Sequence, residues 1–222
     1  GTPGGSLGHE RAGTVGQAGA GVTTGETGNR VVSLLTNACG RCERCQSGRE
    51  HRCVYGEGIG HGRDGGFAEF VALSEFSLVR LPGDVDLTGA ALLACPMGVA
   101  LQAIQNVAQV KPGETTVVTG ASGGLGIHGL QMATVLGSRV LAVTTSEDKL
   151  GGFASLGAEE ILDTGELDFS EMVLALTEDE GAEVVFDTVG SALFSSTWQS
   201  LAQFGRLVLL GEVLGKAVSY TH

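Results

Sequence analysis

The sequence predicts an α/β chain: a helix-wound parallel sheet in the second half, preceded by a small, irregular β unit with long loops. Three observations carry this reading. From Thr115 onward, β-branched runs alternate with stretches of helical period, which implies parallel strands joined by crossover helices. A glycine turn, Gly120-Ala121-Ser122-Gly123-Gly124-Leu125-Gly126, stands between the first of these strands and the first helix. Before Arg80 the apolar runs are short, separated by glycine and interrupted by four clustered cysteines.

Composition bounds the rest. The 222 residues allow one large domain or two modest ones. Charged residues are 17% and apolar residues 42%, so the chain can bury a core and is not of the disordered, highly charged class. The net charge of −12 argues against nucleic-acid binding, which needs a basic patch, and against anionic membrane surfaces. There is no run of 18 apolar residues and no charged, apolar leader pattern at the start, so neither a membrane span nor a signal peptide is expected. Glycine stands out at 37 residues with no collagen period, which suggests many tight turns and close backbone approaches.

In the first half, the expected strands are Gly13–Gln17, Arg30–Leu34, Gly66–Ala72 and Ser77–Arg80. Between the second and third lie Cys39, Cys42, Cys45 and Cys53, spaced C-x2-C-x2-C-x7-C. Such steps let one tight turn present two sulfurs to a tetrahedral zinc, and a closed four-sulfur site is structural. An iron–sulfur cluster, two disulfides or free thiols are the alternatives. Arg41, Arg44, Arg49 and Arg52 lie among the sulfurs, and their charge is expected to lower the thiol pKa values. Upstream, Gly8-His9-Glu10 precedes Gly13, Gly19 and Val22; alone, a His-Glu pair is more often a surface ion pair than a metal site. His61, in Gly60-His61-Gly62, is a loop histidine that either touches substrate or faces solvent.

In the second half, Thr115–Thr119 is a strand, followed by the glycine turn and by Ile127, Leu130, Ala133 and Leu136 at helical spacing. Arg139–Val143 is the next strand. Strand, glycine turn, helix and strand within about thirty residues is the setting of a dinucleotide fingerprint. Its glycines admit the pyrophosphate and the helix N-terminus supplies N–H groups. The array continues with helix Lys149–Leu156, strand Glu160–Leu162, helix Ser170–Thr177, strand Glu183–Asp187, helix Ala192–Ala202 and strand Arg206–Leu210. Five strands result. The second strand ends in Thr144-Thr145-Ser146, without the acid that binds a ribose 2′-hydroxyl in NAD enzymes, so NADP is preferred over NAD, although Glu147 and Asp148 oppose a phosphate. Ser146 also suits a helix cap. Asp187-Thr188-Val189-Gly190 and Leu210-Gly211-Glu212-Val213 end the fourth and fifth strands at the carboxyl edge, where ligands bind in open sheets. Asp187 reads equally as a site residue or a turn residue.

Gly8-His9-Glu10-x2-Gly13, the four-cysteine lobe and Asp64-Gly65-Gly66-Phe67-Ala68-Glu69-Phe70, together with Cys95 and the nucleotide-binding half, resemble the medium-chain, zinc-containing alcohol dehydrogenase family over nearly the whole chain. The resemblance implies a partial GroES-like catalytic domain over 1–94, with a structural zinc lobe at 36–55, and a Rossmann domain over 95–222. It implies that His9 and Cys95 hold a catalytic zinc, with Glu10 coordinating transiently during ligand exchange; the bland reading of Cys95 is a buried apolar cysteine. It implies further that Lys149 contacts the adenosine ribose and that Val189 and Gly211 line the nicotinamide end. The family's first catalytic cysteine lies upstream of Gly8-His9-Glu10, and its sheet has a sixth strand, so the chain is expected to be incomplete at both ends. The implied activity is hydride transfer between an alcohol, or its aldehyde or ketone, and NAD(P), in a cytoplasmic homo-oligomer, dimer or tetramer. The glycine loop, spaced G-x2-G-x2-G, is similar to the quinone and enoyl reductase branches. A zinc-independent enoyl or quinone reductase and a non-catalytic dinucleotide-binding protein are therefore the alternatives.

Overall fold

The structure is a computed structural model that describes residues 5–145, 150–163 and 168–212. It divides into two compact units, Gly1–Gly98 and Val99–His222.

In the first unit, β1 (Ala12–Thr14), β2 (Arg30–Ser33) and a later strand form an antiparallel sheet. The metal-lobe candidate follows β2. Its base is a short antiparallel pair, β3 (Thr36–Asn37) and β4 (Glu57–Gly58), and its helical turns are α1 (Glu43–Gln46) and a 3-10 turn, Glu50–Arg52. The later strand is β5 (Leu78–Arg80), which pairs with β2. The expected start of that strand, Ser77, belongs instead to a 3-10 turn, Glu75–Ser77. The fully buried Ser77 hydroxyl there accepts from the Ala38 amide at 2.8 Å, and this pins the lobe to the sheet.

The strand expected over Gly66–Ala72 does not form. Gly66 and Phe67 donate their amides to the carbonyls of Gly8 and Leu7, and no ladder extends beyond them among the described residues. Phe67 and Phe70 are 79% and 84% exposed. Their β propensity describes a pleated, half-buried surface, and where nothing covers them it has no packing to act on.

The sequence predicts no element between Arg80 and Lys111, yet much of this stretch is helical. The unit ends in α2 (Leu87–Ala90), capped by the Asp86 carboxylate accepting from the Gly89 amide at 2.7 Å, and in a wide π turn over Leu93–Met97. Pro96 sits inside that turn. Proline has no N–H and clashes with the carbonyl of the preceding turn, so an α-helix cannot run through it unaltered. The wider winding accommodates it, with the Met97 amide reaching back to the Leu92 carbonyl at 3.2 Å.

The chain enters the second unit through α3 (Gly98–Leu101), which a second π turn, Gln102–Val107, follows. The strands of its sheet are β6 (Thr115–Thr119), β7 (Arg139–Thr144), β8 (Glu160–Asp163), β9 (Ala182–Asp187) and β10 (Leu201–Leu209). All pair in parallel, in the order β10-β9-β6-β7-β8. That order runs outward from β6 in both directions, so the topological switch lies between β6 and β9. The crossover helices are α4 (Gly124–Val135), α5 (Leu150–Phe153), α6 (Phe169–Leu176) and α7 (Phe194–Gln199). The expected helix over 149–156 is α5 followed by a 3-10 turn, and its first residue, Lys149, lies outside the described residues. The helix expected over 192–202 is shorter, because Leu201 and Ala202 already belong to β10.

The strand residues alternate between two cores, as parallel strands covered on both faces must. Val118, Val140, Ala142 and Phe186 pack against Leu130 and Ala133 of α4. Val117, Leu141, Val143 and Val185 pack against Phe169 and Val173 of α6. Each valine, leucine or phenylalanine side chain among them is worth about 1.5–3 kcal/mol on removal from water, before entropy. Among the described residues no helix is long and apolar enough to cross a membrane.

Candidate metal centres and nucleotide site

The four-cysteine lobe gathers its sulfurs within 4.8 Å of one another. Cys42 and Cys45 are 3.5 Å apart, Cys42 and Cys53 3.9 Å, and Cys39 and Cys45 4.0 Å. Four bonds of about 2.3 Å at tetrahedral angles put sulfurs about 3.8 Å apart, whereas a disulfide needs about 2.05 Å. All five cysteines are free. The donor set therefore fits a single ion held by four thiolates, and no two of the sulfurs stand at disulfide distance.

The thiol shifts differ from the expectation that the arginines lower them. Arg41, Arg44, Arg49 and Arg52 are exposed. Arg44 donates to the Arg52 carbonyl at 2.9 Å and Arg49 to the Ser47 hydroxyl at 3.0 Å. Backbone amides of Cys45 and Val54 donate to Cys42 and lower its pKa to about 6. The amide of Arg41 lowers Cys39. Burial pushes Cys45 up to about 12. Directed N–H groups at hydrogen-bond distance outweigh flexible, solvated guanidinium groups.

His9, Glu10 and Cys95 form a second cluster within 4.8 Å, inside the first unit. The Cys95 sulfur lies 3.6 Å from His9 Nε2, and His9 Nε2 lies 4.0 Å from a Glu10 carboxylate oxygen. Bonds of about 2.3 Å from sulfur and about 2.05 Å from nitrogen to one tetrahedral ion imply about 3.6 Å between those two atoms. Cys95 is half-buried, and its thiol pKa is raised by that burial and by the Glu10 carboxylate. The π turn around Pro96 presents Cys95, while His9 follows a residue that only glycine suits. Gly8 has φ +96°, and a Cβ there would meet the Phe67 ring at 2.8 Å. Arg11, two residues on, holds this segment by donating to the Gly8 carbonyl at 2.9 Å and the Ser33 hydroxyl at 2.8 Å. His61 is exposed, as one of its two readings expected, yet its ring centroid lies 5.4 Å from that of His9. No spacing rule links positions 9, 61 and 95, so the sequence by itself does not reveal that contact.

In the second unit, Gly120 turns at φ +60° and Gly123 caps α4 in an extended conformation. Gly123 and Gly124 are exposed, Leu125 is half-buried and Gly126 is buried. The first-turn amides from Gly124 to Gly126 have no intrahelical acceptor by construction, which suits an anion. A Cβ at Gly126 would come 2.8 Å from the Gly120 carbonyl carbon and 2.9 Å from the Ala121 Cα, so the helix packs backbone to backbone against the turn.

At the end of β7, Thr144 is buried and donates its hydroxyl to Ser122 at 3.1 Å, while Thr145 is exposed. Ser146 and Lys149 lie outside the described residues. Val189 and Gly211 sit on adjacent turns at the carboxyl edge, and a Cβ at Gly211 would come 2.8 Å from the Thr188 carbonyl carbon. Ser191 ties these turns together by donating its amide and hydroxyl to the Glu212 carboxylate at 2.8 and 2.7 Å.

Residues 2–83 match the alcohol dehydrogenase GroES-like domain, and residues 124–221 match the zinc-binding dehydrogenase family. The chain belongs to the zinc-type medium-chain dehydrogenase/reductase family. An acryloyl-coenzyme A reductase of Sulfurisphaera tokodaii is 38% identical over 207 residues, which are 93% of this chain and 60% of that protein. An alcohol dehydrogenase of Geobacillus stearothermophilus is 33% identical over 205 residues, 92% of this chain and 60% of that protein. Among solved structures, the alcohol dehydrogenase of the archaeon Aeropyrum pernix superposes with a TM-score of 0.84 at 32% identity, covering 97% of this chain and 63% of that one. The chain thus spans about 60% of the length of the curated relatives it matches.

Proposed function

We propose that the chain carries the metal and nucleotide sites of an oxidoreductase that transfers hydride between an alcohol, or its aldehyde or ketone, and a nicotinamide cofactor. The observation that carries this reading is the convergence of His9, Glu10 and Cys95 at the spacing of metal ligands. Zinc held there supplies Lewis acidity toward a substrate oxygen, and the nicotinamide supplies or accepts the hydride. His9 and Cys95 are the fixed ligands; Glu10, the exposed member, exchanges with incoming ligands. Cys39, Cys42, Cys45 and Cys53 hold a second, structural zinc.

The first turn of α4 binds the pyrophosphate through its amides, with Gly120 and Gly126 bringing the backbone close. NADP is favoured over NAD because β7 ends at Thr144 and is followed by Thr145, without a carboxylate at either position to repel a 2′-phosphate, and Thr145 offers an exposed hydroxyl. Val189 and Gly211 line the nicotinamide side.

The test is His9→Ala in the intact protein. Metal analysis is expected to fall by one zinc per chain and alcohol oxidation to be lost, with dinucleotide binding retained. Unchanged alcohol oxidation would sink the metal role. A second reading, reduction of a carbon–carbon double bond conjugated to a thioester, is favoured by the 38% identity to the acryloyl-coenzyme A reductase. Comparing NADPH oxidation with an aldehyde and with acryloyl-coenzyme A separates the two.

A further inference from the structure

The switch point between β6 and β9 leaves two turns facing one crevice: the glycine turn after Thr119 and the Thr188–Gly190 turn after Asp187. Their spacing decides how a dinucleotide seats across the sheet edge. We infer that Asp187 is the positioning residue that sets this spacing, and with it the seat of the nicotinamide half. The inference rests on the reading of the second unit as a dinucleotide site.

Asp187 is the last residue of β9, and its carboxylate is fully buried. One oxygen, Oδ1, accepts from the Thr119 hydroxyl at 2.6 Å, the Val189 amide at 2.8 Å and the Gly190 amide at 3.0 Å. The other, Oδ2, accepts from the Thr197 hydroxyl of α7 at 3.3 Å. Thr119 closes the network: its hydroxyl accepts from the Thr188 amide at 3.2 Å, and its carbonyl accepts from the Thr188 hydroxyl at 2.8 Å. Every donor to the carboxylate is neutral, and no cation pairs with it among the described residues.

A carboxylate buried without a cation is a costly way to fill space, and an apolar side chain would do that at less cost. What the carboxylate supplies is an acceptor on which two successive turn amides and the neighbouring strand's hydroxyl converge. This fixes the Thr188–Gly190 turn against the end of β6. The result is visible at Gly120: a Cβ there would lie 2.5 Å from the Thr188 hydroxyl oxygen and 3.1 Å from Val189 Cγ2. Val189 therefore packs over the glycine turn at a depth that Asp187 dictates. The adenosine half of a dinucleotide contacts the β6–α4 turn and the end of β7, on the other side of the switch point. The consequence of loosening Asp187 is thus selective, falling on the nicotinamide half.

Calorimetric titration of the whole chain tests this. The probes are NADPH or NADH, whichever binds the unaltered chain, and the matching adenine-side fragment, 2′,5′-ADP or ADP. Asp187→Ala is expected to weaken the dinucleotide on the order of tenfold, and Thr119→Val several-fold, with fragment affinity within about twofold of the unaltered chain. Asp187→Asn keeps an acceptor oxygen for the turn amides and is expected within about threefold. Equal weakening of fragment and dinucleotide, unchanged dinucleotide binding in both Asp187→Ala and Thr119→Val, or an Asn variant as weak as the Ala variant overturns the proposal. If Asp187→Ala does not fold, the milder Thr119→Val carries the test by the same criteria. If the unaltered chain binds neither dinucleotide nor fragment, the nucleotide reading itself falls, and the proposal with it.

Discussion

Gly126 offers the sharpest test of the nucleotide turn, because its neighbour Gly124 is a built-in control. A methyl group at Gly126 would meet the Gly120 carbonyl carbon at 2.8 Å and the Ala121 Cα at 2.9 Å, against about 3.5–4.0 Å for ordinary carbon contacts. Both are backbone atoms, and Gly120 cannot back away, since Thr188 and Val189 pack over it. Relief must come from lifting the start of α4 off the sheet by roughly half an ångström or more. Overpacking of this kind costs about 1–3 kcal/mol, with the rigid site at the upper end, and the better helix propensity of alanine returns up to about 1 kcal/mol. A net loss of about 2 kcal/mol corresponds to about 4–8 °C in melting temperature for a chain of this size. At Gly124 an added Cβ meets nothing within 4 Å, so Gly124→Ala is expected to change stability by no more than about 0.5 kcal/mol. Differential scanning calorimetry of the two variants reads this directly, and titration with NADPH is expected to show weaker binding in Gly126→Ala. A Gly126→Ala protein that melts within about 1 °C of the unaltered chain, or a Gly124→Ala protein that loses as much, would refute the close-packing argument.

Other outcomes follow from the same structure. Cys45→Ser removes the buried member of the four-sulfur set; metal analysis should show one zinc fewer per chain, and trypsin should cut the lobe at its exposed arginines, whereas an unchanged metal content would contradict the tetrathiolate reading. Glu75 accepts from the Thr24 hydroxyl and the Thr23 and Thr24 amides, which lowers its pKa below the usual 4.5. Its stabilisation of that loop is complete above the unfolded-state value and disappears as pH falls through the lower folded-state value. Protection of the Thr23 and Thr24 amides against exchange should therefore fall as pH drops below 4.5, and in Glu75→Gln that acid step should vanish. Thr145→Asp places a carboxylate at the exposed end of β7; it should cut NADPH affinity roughly tenfold relative to NADH, and an unchanged ratio would remove Thr145 from the 2′-phosphate site.

Local chemistry made several features legible from residues alone. The glycine turn, the five parallel strands and the four-cysteine lobe are each specified within a few dozen residues, through period, turn chemistry and thiolate spacing. The carboxyl-edge location of Val189 and Gly211 followed from strand ends. The failures have physical causes of their own. Phe67 and Phe70 carry strand propensity, but pairing is a property of two segments, and the backbone around them bonds to residues 7 and 8 instead. The helical stretch that holds Cys95 is not legible in the sequence, because Pro96, Gly89 and Gly98 obscure its period. The arginines among the cysteines suggested an electrostatic role that their solvent exposure denies them.

The sequence by itself determined the two-part α/β organisation and the identity of the metal and nucleotide ligand candidates, since these depend on which side chains occur at which short spacings. Only the tertiary structure decided which distant residues meet. His9 reaches Cys95 and His61, and Asp187 gathers Thr119, Val189, Gly190 and Thr197. The physical reason is one of range. Period and turn type are written in neighbouring residues, whereas a contact between residues 86 positions apart exists only once strand order, register and core packing have placed both backbones.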